Sequence, residues 1–214
     1  MQQWLVQQPQ IERRNTNLAE VFRIPDFLTA EECEALIELS EPLLQGSTLT
    51  TQEPDREFRT SQTAHLWPTS TLVLDIDARI SRHLHIDPVL GEVTQAQRYL
   101  PGQQFKRHTD YFSPKNSEYA RYAGERGQRT WTFMIYLNTV EAGGATEFPV
   151  LDFKQPAETG MALAWRNLLA DGQGNPNTLH AGLPVEQGVK WVITKWFRQH
   201  PQPTPAHILR PAAV

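Results

Sequence analysis

A chain of 214 residues is long enough to bury one substantial core, and its single cysteine, Cys33, excludes a disulfide-stapled miniprotein. Hydrophobic residues make up 39% and charged residues 21%, a balance that offsets the entropy of ordering and excludes a disordered chain. A net charge of −4 withholds the basic excess that drives association with phosphate backbones, so no nucleic-acid partner is expected. No run reaches the roughly 18 apolar residues of a membrane span, and MQQWLVQQPQIERRN lacks the basic start and apolar stretch of a signal peptide. No membrane association is expected, and the expected location is the reducing cytoplasm.

In chain order, IPDFLTAEECEALIELSEPLL opens with Thr29 and Glu32 at capping-box spacing and then places Leu36, Ile37 and Leu39 near helical period. This predicts a first helix. A second follows Pro68, where Leu72, Val73, Ile76, Ile80 and Leu84 recur on one face while Asp75, Asp77, Arg79 and Arg82 take the others. From about residue 92 the texture changes to short alternating runs divided by Gly and Pro: VTQAQRYL, TWTFMIYLN, ATEFP, MALAWRN, TLHAG and VKWVITKWF. In the last run Trp191, Ile193 and Phe197 share one parity, and Lys190, Val192, Thr194 and Trp196 the other, which is strand periodicity. Helices followed by many short strands give an α+β fold, with the strands closing as a sandwich or jelly roll. The organisation expected is one domain over 1–198, with helical support over about 1–90 and a strand core over about 91–198. The stretch 199–214, which ends in PQPTPAHILRPAAV, reads as a mobile Pro-rich tail.

The chemistry concentrates in two of these stretches. In YLPGQQFKRHTDYF, His108 and Asp110 sit two apart, so on an extended segment both side chains leave one face and can meet a single ion. A non-haem Fe(II) oxygenase site needs two imidazoles and one carboxylate on one face of the metal, and His-x-Asp supplies two of the three. In LHAGLPVEQGVKWVITKWF, His180 follows a strand-like TL and Lys190 opens the next strand ten residues on. If those two strands pair as antiparallel neighbours, the two side chains stand side by side. Lysine there can hold one end of a dicarboxylate whose other end chelates the iron. Singly, each residue has a plainer alternative: His180 as a satisfied structural histidine, Lys190 as an edge-strand charge that resists aggregation.

Five blocks in order, FRTSQTAHL, RYLPGQQFKRHTDYF, GQRTWTFMIYLNTVEAGGATEFP, GMALAWRN and TLHAGLPVEQGVKWVITKWF, resemble the prolyl 4-hydroxylase-like branch of the Fe(II)/2-oxoglutarate dioxygenases over roughly residues 55–198. The resemblance implies a double-stranded β-helix with the metal near one mouth and the N-terminal helices buttressing the larger sheet. It assigns iron to His108, Asp110 and His180. It also assigns 2-oxoglutarate to Tyr99, Thr146 and Lys190, the last binding the distal carboxylate, and matches Arg129 and Trp196 to positions that contact substrate in some relatives. Arg59, Thr60 and Ser61 match a loop near the site entrance. Read without the resemblance, Tyr99 and Trp196 are equally core residues, Thr146 an ordinary strand threonine and Arg129 a surface charge. Gly143 and Gly144 read as a turn before the following strand. The stretch YFSPKNSEYARYAGERGQ, between Asp110 and Arg129, is longer and more charged than in close relatives and reads as a lid or substrate loop.

The reaction implied is hydroxylation of a prolyl residue in a peptide or protein, coupled to decarboxylation of 2-oxoglutarate to succinate and carbon dioxide. Fe(II), 2-oxoglutarate and O2 are required, and ascorbate keeps the iron reduced in relatives. No general base is needed, which agrees with the absence of a recognisable Ser/His/Asp or Cys/His arrangement. A free amino acid or other small molecule as substrate is the alternative within the same chemistry. A jelly-roll module that binds metal without turnover is the alternative outside it, though such a module has no use for Lys190. Zinc hydrolysis would call for a companion base that no helix here carries.

Overall fold

The computed structural model describes residues 11–13, 17–47, 55, 57–117 and 119–202. The N-terminal part runs β1 (Glu12–Arg13), β2 (Val21–Ile24), α1 (Ala30–Ser40), β3 (Gln45–Gly46), β4 (Gln62–Leu66) and α2 (Thr71–Leu84). The remainder runs β5 (Thr94–Tyr99), β6 (Phe105–His108), α3 (Tyr119–Ala123), β7 (Arg129–Tyr136), β8 (Ala142–Gly143), β9 (Thr146–Phe148) and β10 (Phe153–Gln155), then β11 (Ala162–Arg166), β12 (His180–Gly182), β13 (Val185–Gln187) and β14 (Lys190–Arg198). The greater part of the 199–214 tail lies outside the described residues.

Both expected helices form, each for the local reason its sequence gives. Thr29 caps α1: its hydroxyl accepts from the Glu32 amide at 3.2 Å while the Glu32 carboxylate accepts from the Thr29 amide at 3.0 Å. Ser70 caps α2 by accepting from the Val73 amide, and the helix ends at His85, whose φ of 51° is left-handed. Val73, Ile76, Ile80 and Leu84 are all buried, as their spacing requires.

Two sheets face each other. The larger has eight antiparallel strands in the order β1-β2-β11-β7-β14-β5-β4-β3, the smaller four in the order β10-β9-β12-β6, and β13 pairs with β8 in a separate two-stranded ribbon. Strand alternation divides the interior in two. Trp131, Phe133 and Ile135 of β7, with Trp191, Ile193 and Phe197 of β14, pack against α1 and α2. Met134 and Tyr136 of β7, Val192 of β14 and Leu163 and Trp165 of β11 meet Phe148 and Phe153 of the smaller sheet. This is the jelly-roll arrangement, with the helices buttressing the larger sheet.

Two expectations need correction. The first ninety residues supply more than helical support, because β1 to β4 extend both edges of the larger sheet. Lys190 and His180 are also not on neighbouring strands: β12 lies in the smaller sheet and β14 in the larger, joined through β13, so the two residues face each other across the interior. Since β14 runs between β7 and β5, Lys190 is no edge-strand charge. Among the described residues no helix is long and apolar enough to cross a membrane.

Candidate metal and cosubstrate site

His108 closes β6 and His180 opens β12, and the two are register partners across that antiparallel pair. Residues 72 positions apart in the chain are thereby placed with ring centroids 4.2 Å apart. Asp110 follows β6 by two residues and turns back toward both rings. One carboxylate oxygen lies 3.7 Å from His108 Nε2 and the other 3.9 Å from His180 Nε2, and one donor atom from each residue falls within 4.8 Å of the others.

Each imidazole is oriented from behind. His108 Nδ1 stands 2.8 Å from the Lys106 carbonyl and His180 Nδ1 2.9 Å from that of Thr178. A carbonyl only accepts, so each Nδ1 donates to it, and each Nε2 is the ring nitrogen turned toward the carboxylate. Packing fixes the ring planes. Phe105 stacks on His108 at 3.5 Å, with the Arg59 guanidinium 4.8 Å from the centre of the Phe105 ring. Phe148 stacks on His180 and Trp165 meets it edge-on. Burial and the neighbouring His180 hold the His108 ring well below the ordinary imidazole range, so it stays neutral. Burial works to raise Asp110, but its polar neighbours, the Arg129 guanidinium and a 2.6 Å hydrogen bond from Thr132 among them, outweigh it and hold the carboxyl below its ordinary range. Two imidazoles and one carboxylate, brought around one point, form a donor set for a divalent transition metal.

Lys190 faces this group from the larger sheet. It is 2% exposed, and its ammonium has no carboxylate partner among the described residues, only the Tyr99 and Tyr136 rings at 5.4 and 5.5 Å. Burial alone lowers its pKa to about 7. Tyr99, Thr146 and Lys190 line one small cavity of about 50 Å³ together with His180 and Trp165. Thr146 is held there by the Tyr136 hydroxyl, which donates to it at 2.7 Å.

A second, larger cleft of about 320 Å³ opens beside His108 and Asp110, walled by Phe58, Tyr111, Phe112, Tyr119 and Tyr122. His108, Asp110, Arg59, Phe105 and Trp196 line both spaces, so two of the three donor groups stand where cavity and cleft meet, and His180 faces the cavity. The stretch between Asp110 and Arg129 does form a wall of this cleft. Arg129 and Trp196 are both in it, the guanidinium 3.9 Å from the centre of the indole. Arg129 is not a free surface charge: its Nε and Nη2 donate to the two oxygens of Glu92, each at 2.8 Å, and Arg198 Nη1 donates to the same carboxylate at 3.0 Å. Burial opposes ionisation of Glu92, but the two arginines prevail and pull its pKa down to about 2. Arg59 donates to the hydroxyls of Ser61 and Thr63.

Sequence reasoning missed Glu92, Thr132 and Phe105. Thr132 had a usable signal, because it shares the parity of Met134 and Tyr136 and so faces the interior. Glu92 had none, since its partners lie 37 and 106 positions away.

The family model of the 2OG-Fe(II) oxygenase superfamily matches residues 94–198. Among curated relatives, the mouse prolyl 4-hydroxylase subunit alpha-3 is 39% identical over 182 residues, covering 83% of this chain. The chain spans only about a third of the length of the alpha-3 subunits it matches. The probable prolyl 4-hydroxylase 9 of Arabidopsis thaliana is 33% identical over 201 residues, covering 83% of this chain and 68% of that protein. Among solved structures, the viral collagen prolyl hydroxylase of Paramecium bursaria Chlorella virus-1, crystallised with 2OG, superposes with a TM-score of 0.66 at 28% identity, covering 83% of this chain and 95% of that one. The chain therefore belongs to the prolyl 4-hydroxylase-like branch of the 2OG-Fe(II) oxygenase superfamily.

Proposed function

We propose that this protein is an Fe(II)- and 2-oxoglutarate-dependent dioxygenase that hydroxylates a prolyl residue in a peptide or protein. The observation that carries the reading is a buried ammonium without a counter-anion among the described residues, Lys190, set across a cavity from three convergent metal donors. An unpaired buried charge is costly, so the site is built for an anion that also reaches the metal. In this reading His108, Asp110 and His180 hold Fe(II). Lys190 binds the distal carboxylate of 2-oxoglutarate, and Tyr99 and Thr146 shape the pocket around it. When bound, iron with 2-oxoglutarate and O2 supplies oxidative decarboxylation to succinate and carbon dioxide, coupled to hydroxylation of an unactivated carbon. The chain's own work is to orient these groups, neutralise the dicarboxylate and exclude water through the Phe105, Phe148 and Trp165 rings.

Arg129 and Trp196 are proposed to contact the substrate. The aromatic cleft supports a peptide, because flat rings pack against proline and an extended ligand presents its carbonyls to donors. A free amino acid would bring a carboxylate to this cleft, and Arg129 is already neutralised by Glu92. One catalytic domain to about residue 198, ascorbate as reductant and a cytoplasmic location complete the proposal. The last fits a single, buried cysteine with no partner for an internal disulfide. The test is mass spectrometry of prolyl peptides and free proline incubated with protein, Fe(II) and 2-oxoglutarate. A gain of one oxygen on peptide alone, matched by succinate and absent in Asp110→Ala, is the expected result. Oxygen on free proline alone would replace the substrate, and undiminished succinate from Asp110→Ala would remove the metal assignment.

A further inference from the structure

We infer that Thr132 and Asn167 are positioning residues for the Asp110 carboxylate, forming a one-way hydrogen-bond chain that fixes how it meets the metal. This rests on the metal assignment proposed above. Asn167 Nδ2 lies 2.9 Å from Thr132 Oγ1, and Thr132 Oγ1 lies 2.6 Å from Asp110 Oδ2. Thr132 and Asn167 are fully buried and Asp110 is 6% exposed, so no water competes for these bonds.

Chemistry fixes the direction. An amide nitrogen only donates, so the threonine oxygen accepts from Asn167 and gives its own proton onward, and an ionised carboxylate can only accept it. Asp110 Oδ2 is thereby committed to Thr132. The carboxylate cannot rotate freely, and Oδ1, which carries no such bond to Thr132, is the oxygen favoured to meet an ion. A carboxylate bound through one oxygen leaves more of the metal's surface to a chelating cosubstrate and to dioxygen.

Asn167 is itself held in place at both ends of its backbone. Its amide donates to the Thr130 carbonyl at 2.9 Å, and its carbonyl accepts from the Asn175 amide at 2.8 Å. It directly follows β11, whose Trp165 pairs with Thr132, so the sheet register itself brings the two side chains together. Thr132 puts a hydroxyl on the interior side of β7 that it shares with Met134 and Tyr136. Asn167 also keeps Oδ1 buried without a hydrogen-bond partner among the described residues, a cost that the satisfied end of the amide does not remove. A buried amide retained at a cost, aimed through a hydroxyl at a metal-binding carboxylate, is what an outer shell that orients a ligand looks like.

The experiment measures Mn(II) affinity of the whole chain, without oxygen or 2-oxoglutarate, from the free-ion paramagnetic resonance signal. Thermal unfolding of each metal-free variant is followed alongside. Thr132→Val, equal in shape, should weaken Mn(II) binding about 10- to 100-fold, and Thr132→Ser should restore most of it by returning the hydroxyl. Asn167→Ala should act in the same direction through Thr132, which keeps the test open if Thr132→Val fails to fold. Wild-type affinity in Thr132→Val or Asn167→Ala, where Asp110→Ala has lost binding, overturns the inference and leaves the metal site standing. Retained affinity in Asp110→Ala instead overturns the metal assignment beneath it.

Discussion

At the scale of single residues, Lys190 is the group on whose protonation the proposed cosubstrate site depends. Buried without an anion, it has a pKa of about 7 against an ordinary 10.5. The unfolded chain therefore holds a proton between about pH 7 and 10.5 that the folded chain releases, so this residue destabilises the ligand-free protein fully below pH 7 and progressively less as the pH rises. A dicarboxylate arriving opposite the ammonium raises that pKa again. Binding of 2-oxoglutarate near pH 8 should then take up close to one proton, read by calorimetry in two buffers of different ionisation enthalpy, and the uptake should vanish in Lys190→Met. Lys190→Ala should raise the 2-oxoglutarate requirement by about 2–4 kcal/mol, roughly 30- to 1000-fold, the loss of one charged, desolvated contact. An unchanged requirement would move the cosubstrate elsewhere.

At the scale of elements, the cleft wall is tied to the barrel through one anion. Glu92 holds Arg129 over Trp196 and also holds Arg198, whose Nη2 donates to the carbonyls of Tyr122 and Ala123 at the end of α3. The Phe112 ring sits 5.1 Å from Arg129 and 4.7 Å from Arg198. Gln128 closes the segment by exchanging hydrogen bonds with the Phe112 backbone in both directions. The wall is ordered by charge rather than by helix propensity, since α3 has only five residues. Glu92→Gln strips the counter-charge from two buried guanidiniums and should destabilise the protein by about 3–5 kcal/mol. It should also raise the KM for a prolyl peptide several-fold without changing that for 2-oxoglutarate, and speed hydrogen exchange across residues 119–126. Wild-type peptide KM and exchange in this variant would show that the wall stands without Glu92.

Across the whole molecule, what could be read from the sequence is what local periodicity encodes. The helix caps at Thr29 and the alternation of β14 follow from neighbours within a few residues, and both stand as the spacing requires. Sheet membership was not legible, because β12 and β14 are divided by a change of partner at β13 that no run of residues announces. β2 and β4 were missed because each is a short run beside a helix whose partner strand, β11 or β5, is brought to it only by the fold. The convergence of His108, Asp110 and His180, by contrast, was approached through motif and resemblance, since the register that unites two strand ends is a property of the closed barrel. That closure has a thermodynamic consequence. The three donors and Lys190 meet only when both sheets are assembled, so ligands bind the folded state alone and must stabilise all of it. Mn(II) followed by 2-oxoglutarate at 100 times its dissociation constant, in the absence of oxygen, should add about 2.7 kcal/mol for the second ligand, or roughly 5–10 °C in Tm for a chain of this size. Lys190→Ala should keep the metal increment and lose that of 2-oxoglutarate, whereas Asp110→Ala should lose both. An increment from 2-oxoglutarate that survives in Lys190→Ala would mean that the buried ammonium answers to a different anion.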